Sequence, residues 1–527
     1  PGPLGRSGAA MRRGNEDGFA QVLRAEWTKL RTVRGWVIGL GVVAVLGTLL
    51  SIASANGSHS GTCTGSNPAH IVCSVGHPAV PVGPGDQIVT DTYELVHQSL
   101  DGNGAITARV TSLAGFIAEE NMNRASPNAP ERPGLAGWAK AGVIVTSSTK
   151  AGAPYAAVMA TGDHGVRFQY DYSHDIAGTP GTLSPSDPRW LRLVRHGDTL
   201  TAYDSTNGSS WDEIGSTAIT GLPSTVDIGL FVTSPVTYAL SSQGNTTQAT
   251  AHFDHVTVQG RTTTTAWQHT SVGGGNNFYP TLGFGSARHI GGTFVITGTG
   301  DIAPGVLAGM IAQNPATGQT LIGILVGLIV LIVIATMFVT AEYRRRLIRT
   351  TFTAMPNRGR VLSAKAIVIF AVAFLTESVA VAISIPIGRH LLISNGNYLF
   401  PVGALTEVRE VFGSALLVAL AAVAVLGLAT ILRRSSGAVV AGIALFVVPN
   451  ILGATVTGSV GEWIYRLTPA AGFSVLDSVP SSPLVSYPYT VQNGYYPLGA
   501  WVSLIVPCCY AALALGVAAM VLSRRDA

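Results

Sequence analysis

The sequence predicts a six-span α-helical membrane protein with a large all-β sandwich inserted between its first and second spans. Three observations carry this. Charged residues make up only 11% of the 527-residue chain, and mean hydropathy is +0.38, whereas soluble globular domains carry roughly 25% charge. Six apolar runs each approach the ~20 residues that a helix needs to cross ~30 Å of hydrocarbon. Residues 55–315 are instead rich in Gly, Ser, Thr, Asp and Asn, with short alternating runs of strand character. A chain this long also exceeds one ordinary core, so at least two units are expected.

Pro1–Ala10 (PGPLGRSGAA) reads as a protease-site scar, with Met11 as the expected start. No cleavable signal peptide is evident, and the first apolar run reads as a retained anchor. Over residues 11–35, Phe19, Val22, Leu23, Trp27 and Leu30 recur at helical spacing among Arg24, Lys29, Arg31 and Arg34. This predicts an amphipathic helix in the cytoplasmic interface, with Trp27 and Trp36 at headgroup level.

The expected spans are 36–54, 320–340, 361–387, 411–432, 438–456 and 498–522. Lys and Arg orient them. Six lie between Met11 and the first span and seven lie in 341–365, while Arg433 and Arg434 close the fourth span and Arg524 and Arg525 close the sixth. The segment 391–408 has none, and 458–497 has only Arg466. By the positive-inside rule both termini are cytoplasmic, residues 55–319 are extracytoplasmic, and the chain is a multi-pass protein of the cell (plasma) membrane.

The insert begins with a Gly/Ser/Pro-rich loop. Strands are expected at 105–110, 141–146, 155–159, 166–172, 190–195, 199–203, 228–233 and 251–258, with turns at 101–104, 195–198 and 205–208. Residues 121–137 read as a mobile loop. Short alternating strands at this spacing argue an antiparallel sandwich. Cys63 and Cys73 fall where oxidation is permitted, so a disulfide closing a short loop is expected. Metal binding by Cys63, His70, Cys73 and His77 is the alternative, but C-x6-H-x2-C-x3-H fits no usual zinc spacing and no metal is expected. Cys508 and Cys509 read as unpaired packing residues.

The stretches GWAKAGVIV, YAAVMATGDHGVRFQYDY, PRWLRLVRHGDTLTAYDSTNGSSWDEIG and VDIGLFVTS, in that order, resemble the concanavalin A-like (laminin G-like) jelly-roll domains of bacterial secreted carbohydrate-active proteins. The resemblance covers about Asp91–Val258. It implies a two-sheet jelly roll, which in such domains often binds sugars on the concave face. Trp138, Tyr170, Tyr172, Arg192 and Trp211 are the candidate stacking surface; the alternative is that Trp138 and Trp190 are core and the rest is ordinary surface. No spaced acidic pair like a glycosidase's stands out, since Glu119 and Glu120 are adjacent.

No G-x-x-x-x-G-K-[ST] occurs, and none of the four lysines (Lys29, Lys140, Lys150, Lys365) follows a Gly-rich loop. Any ATP is therefore hydrolysed by another chain. EYRRRLIRTTFTAMPNRGRVLSAKA after the second span, and RAEWTKLRTVRGWV near the amino terminus, resemble type-2 ABC exporter permeases, especially actinobacterial ones. The resemblance implies a transport subunit without catalytic residues or a cofactor of its own. It implies two copies of a P-loop ATPase partner that holds ATP and Mg, a second permease chain and a surrounding of membrane lipid. No nucleic-acid partner is expected. Within 341–360, Glu342–Met355 would be the coupling helix, ended by Pro356. Glu342, Arg344, Arg345, Arg346 and Arg349 would form ion pairs with the ATPase. Leu347, Ile348 and Phe352 would pack in its groove beside Tyr343, and the helix bearing Trp27 would press on the same subunit. The segment 461–476 would be re-entrant.

Glu377 sits midway along the third apolar run, where an ionisable group usually faces protein or water. It either lines a substrate path or holds a helix contact through a Ser or Thr. Arg389 and His390, at the outer end of that run, can snorkel. Two other readings stand beside the exporter: a membrane-anchored carbohydrate-binding receptor, and a mechanical transducer without a path through the membrane.

Overall fold

The computed structural model describes residues 8–58, 61–64, 72–75, 81–118, 131–184, 186–238, 244–263, 266–273, 285–305, 323–344, 357–397, 399, 402–456, 459–478, 481–486, 491 and 495–524. The chain forms two units. One comprises 1–78, 313–479 and 489–527, and the other comprises 79–312 with 480–488.

The first unit is helical. α1 (Gly8–Thr32) and α2 (Arg34–Gly57) are separated only by Val33 in an extended conformation. α3 (Gly323–Arg344), α4 (Arg358–Ser394) and α5 (Ala404–Leu432) follow, then the short α6 (Ser435–Phe446), α7 (Val448–Thr455) and α8 (Ser459–Leu467), a 3-10 segment (Pro469–Leu476) and α9 (Ile505–Arg524). Among the described residues, six helical stretches are long and apolar enough to cross a membrane: Arg34–Gly57, Gly323–Tyr343, Arg358–Ser394, Ala404–Leu432, Ser435–Gly453 and Val502–Arg524. Each overlaps a predicted span.

The helices outrun the apolar runs because charged ends continue the hydrogen-bonded ladder. At the start of α4 the Asn357 side chain accepts from the Arg360 N–H and caps the helix. The fifth stretch is broken at Val447, since Pro449 in the first turn of α7 brings no N–H to the preceding turn. α5 is the hub, packing against α3, α4, α6 and α9. α2 and α3 approach closely: a Cβ at Gly323 would lie 2.0 Å from the Gly47 carbonyl oxygen. This is the small-residue contact that lets apolar helices gain dispersion without side chains between them. At the far end of α2, Asn395 Nδ2 donates to the Ala55 and Asn56 carbonyls, and Asn397 Nδ2 donates to that of Ser58. The last carbonyls of α2 are thereby satisfied by the end of α4.

α1 departs from expectation. Val22 and Leu30 are buried and Phe19 and Leu23 half-buried, but Trp27 is exposed, and the stripe packs on Val361 and Ala364 of α4. The apolar face is covered by protein, and the one aromatic at its margin is left outside. The predicted 461–476 segment divides into α8, with Val460, Trp463 and Leu467 exposed, and a 3-10 turn whose eight residues are all buried.

The second unit is a large β-sandwich approaching a barrel. Its strands are β3 (Val89–Asp91), β4 (Tyr93–Ala118), β5 (Glu131–Pro133), β6 (Lys140–Thr146), β7 (Tyr155–Thr161), β8 (Val166–Tyr170), β9 (His174–Ala177), β10 (Arg189–His196), β11 (Thr199–Ser205), β12 (Asp212–Ala218), β13 (Thr225–Thr233), β14 (Thr237–Tyr238), β15 (Gly244–Asn245), β16 (Thr247–Thr262), β17 (Gln268–Val272), β18 (Ser286–Ile290), β19 (Thr293–Gly298) and β20 (Ile302–Pro304), while β1 (Gly61–Thr64) and β2 (Val72–Val75) precede it in the other unit. Pairing runs β12-β11-β10-β4-β13-β6-β7-β8-β9, with β16, β17 and β5 also on β4, and β19 and β18 beyond β16.

All predicted strands are present. The expected turn at 101–104 is not. β4 runs through it, with Gly102 at φ +70 and a register shift at Gly260/Arg261 of β16 opposite. Strands on both flanks hold the residues in line, so the Gly pair becomes a kink. The sandwich also extends past the expected Val258 to Pro304. β6, β7 and β13 are buried on both faces. Val143, Val158 and Ile228 enter the inter-sheet core, while Ile144, Tyr155 and Phe231 enter a second core with Val89, Tyr172 and Ile302. β3 and β20 pair antiparallel, Val89 opposite Pro304. The unit's two ends therefore leave side by side, as an inserted domain requires.

Candidate coupling site and the predicted ligand face

Four charges from three helices meet where α1, α3 and α4 converge. Glu26 and Lys29 share a face of α1 at i,i+3 spacing. Glu342 comes from the end of α3 and Lys365 from the second turn of α4. Lys365 Nζ lies 2.6 Å from Glu26 Oε2 and 2.7 Å from Glu342 Oε1. Lys29 Nζ lies 2.7 Å from Glu26 Oε1 and 3.1 Å from Glu342 Oε1. Glu26, Lys365 and Glu342 are buried, and Lys29 forms the half-buried rim. Lys365 Nζ also stands 4.9 Å from the Phe338 ring, a cation–π contact in dry surroundings. Two carboxylates and two ammonium groups balance. Burial works against the Lys29 charge, but the Glu26 and Glu342 carboxylates outweigh it and raise its pKa above the ordinary lysine value.

This cluster corrects the expectation for Glu342, which is spent inside the chain and does not face outward. Tyr343 is half-buried, with Arg433 Cζ 5.4 Å over its ring and, among the described residues, no hydrogen-bond partner for its hydroxyl. The backbone of Arg344 ends α3. Arg345, Arg346, Leu347, Ile348, Arg349 and Phe352 lie outside the described residues. Beyond them, Arg358 Nη1 donates to the Leu522 carbonyl at 2.7 Å, tying the start of α4 to the end of α9. Trp27 is 44% exposed on the outer side of α1.

Glu377 is buried midway along α4 and faces Gly327 of α3 and Val43 of α2. The carboxyl lies against another helix, but among the described residues no Ser or Thr bonds it, so the expected contact through a hydroxyl is not formed.

The five residues of the predicted sugar-stacking surface do not share one surface. Trp138 is 4% exposed, stacked on His164 at 3.7 Å with Lys140 and Arg167 each 5.9 Å from its ring. Tyr172 is 2% exposed in the second core, its hydroxyl 2.8 Å from Asp91 Oδ2. Both are structural. Tyr170 is half-buried beside the inter-sheet core and stacks on His174. Arg192 alternates with the core residues Leu191 and Leu193, so it points away from that core, 5.9 Å from Trp211. Strand alternation thus separates the five.

Cys63 and Cys73 are Cα partners in the β1–β2 pair, and their side chains lie outside the described residues, as do His70, His77, Glu119 and Glu120. No group of three or more His, Cys, Asp or Glu side chains that could hold a metal occurs among the described residues. Cys508 and Cys509 are free and exposed.

Comparison with known families gives no match, and comparison with curated proteins gives none. Among solved structures, scytalido-glutamic peptidase with a transition state analog inhibitor aligns at 10% identity over 40% of this chain and 98% of its own, with a TM-score of 0.26. A functionally unknown protein from Saccharomyces cerevisiae aligns at 10% identity over 39% and 98%, with a TM-score of 0.21.

Three features of the sandwich have little local signal in the sequence. Lys140, fully buried, is held by Asp301 Oδ1 at 2.7 Å, although 161 residues separate them. Burial raises the Asp301 carboxyl despite that lysine. Asp91 is buried against the Gly152 N–H and the Tyr172 hydroxyl, and desolvation pushes it up to about 7. On the other sheet Arg109 grips Asp254 with two hydrogen bonds of 2.7 and 2.6 Å and lies 5.5 Å from the Trp190 ring. Those bonds hold the Asp254 carboxyl below the usual range. Only the opposite charges on neighbouring strands could have suggested this last group.

Proposed function

We propose that the chain is the membrane-spanning subunit of an ATP-driven exporter of the type-2 permease class. A separate P-loop ATPase would engage the basic segment 341–360 from the cytoplasm. The observation that carries this reading is the Glu26–Lys365–Glu342–Lys29 cluster. It binds α1, α3 and α4 into one block around both ends of that segment. A push delivered there is passed to two spans and the amino-terminal helix together, because separating them would leave buried charges unpaired. Glu342 thus serves as an internal strut, and docking falls to the arginines that follow it. Trp27, exposed on the same block, is a second point on which a partner can bear. The β-sandwich would lie outside the cell. The sugar-receptor reading is weaker, because the residues proposed to stack on sugar are divided between cores and separate faces.

The test is whether a P-loop ATPase is encoded beside this gene and whether the two proteins co-purify. Arg345→Glu with Arg349→Glu is expected to abolish the complex while leaving the chain folded and monodisperse. A complex of undiminished yield in that double variant would exclude the docking role. ATPase activity of the reconstituted pair, stimulated by an added lipid, glycan or antibiotic, then distinguishes an exporter from a mechanical transducer.

A further inference from the structure

We propose that Glu377 is a proton-binding site within the helical unit, occupied by a proton while α2, α3 and α4 are packed together. This rests on reading those helices as membrane spans and is independent of the ATPase. The carboxyl is 2% exposed. A Cβ at Gly327 would lie 3.2 Å from Glu377 Oε2 and 3.5 Å from Val43 Cγ1. Among the described residues, the carboxyl receives no hydrogen bond.

Nor is there a countercharge. Residues 35–57 of α2, 323–341 of α3 and 411–432 of α5 contain no ionisable side chain. On α4 itself the nearest are Lys365 and Arg389, each twelve residues away, or ~18 Å along a helix. Lys365 is already held by Glu26 and Glu342, and Arg389 pairs with Glu407. A bare carboxylate in such surroundings is strongly disfavoured, and binding a proton removes its charge. Losing it would place an isolated charge at the α2–α3–α4 junction. The helices would then have to part and admit water or a cation. A Cβ at Gly327 would press on the carboxyl and require it to shift by a few tenths of an ångström.

The full chain in lipid nanodiscs is treated with apolar dicyclohexylcarbodiimide and, separately, with a water-soluble carbodiimide at pH 7. Adducts are then mapped by peptide mass spectrometry. A protonated carboxyl adds across the carbodiimide to an O-acylisourea, which rearranges to a stable N-acylurea with every atom retained. The expected result is an N-acylurea on Glu377 from the apolar reagent, several-fold above the water-soluble one and absent in Glu377→Gln. No adduct from either reagent at pH 7 or pH 5 overturns the proposal while leaving the spans intact. Equal labelling by both reagents overturns it differently, by placing the carboxyl in water and removing the membrane reading as well. Both outcomes are read on the unmodified chain, so they do not depend on how the Gln variant folds.

Discussion

Lys365 is the residue on which the helical block depends. Lys365→Ala leaves the Glu26 and Glu342 carboxylates buried with only the rim lysine, and breaking such a pair costs about 3–5 kcal/mol. A clear fall in thermal midpoint in detergent is expected, with α1 becoming protease-sensitive. Lys29 is half-buried, so Lys29→Ala costs about 1 kcal/mol or less. Equal effects of the two substitutions would refute the ranking. Nothing local in the sequence shows this cluster, because Glu342 stands beside an arginine run and its partners are 23 residues ahead and more than 300 behind. Tyr172 is illegible for another reason. Asp171 and Tyr172 adopt φ +47 and +65, which breaks strand alternation and turns the ring inward. Its partner Asp91 yields a second prediction. A carboxyl raised from 3.8 to about 7 binds its proton more tightly when folded, so its stabilisation is complete below pH ~4 and is lost as pH rises through ~7. Tryptophan-monitored melting of the full chain should fall from pH 5 to 8, with a shallower slope in Asp91→Asn. An unchanged slope would remove Asp91 as the cause.

At the scale of elements, the helices were legible because ~20 apolar residues leave few alternatives in a chain this poor in charge. Their true ends were not, since Arg358–Arg360 and Glu407–Glu410 look like loop and fold as helix. The break at Val447 was foreshadowed only by Pro449. The α2–α3 contact gives a test of close packing. In Gly323→Ala the new methyl meets backbone at 2.0 Å, and overpacking of this kind costs about 1–3 kcal/mol. Gly41→Ala, with nothing within 4 Å, is the control and should melt like the parent. The β1–β2 pair gives another. Cys63 and Cys73 are direct cross-strand partners, and such Cα atoms are ~4.5–5.5 Å apart, inside the range a disulfide spans. Non-reducing peptide mapping of protein purified from membranes without reductant should find the two joined, and free thiols at both positions would reject it.

For the whole molecule, the two units are related by how the chain enters and leaves the sandwich. The resemblance ended near Val258, and the reason the remainder was missed is physical. β17, β18 and β19 are short, partly polar additions to β4 and β16, and on their own they read as linker. They are nevertheless integral, and the unit closes only where β20 returns to β3. This decides where the domain can be cut. Removing Asp91–Val258 would leave β17–β20 without β4, most of β16 and the last residue of β3, exposing unpaired strand edges that template aggregation. Removing 89–304 excises the unit at paired positions whose Cα atoms are only ~4.5–5.5 Å apart, so a short Gly/Ser linker spans the gap. The larger deletion is therefore expected to give monodisperse protein on size exclusion, and the smaller one to aggregate. If the larger deletion also aggregates, the helical unit needs the sandwich to fold.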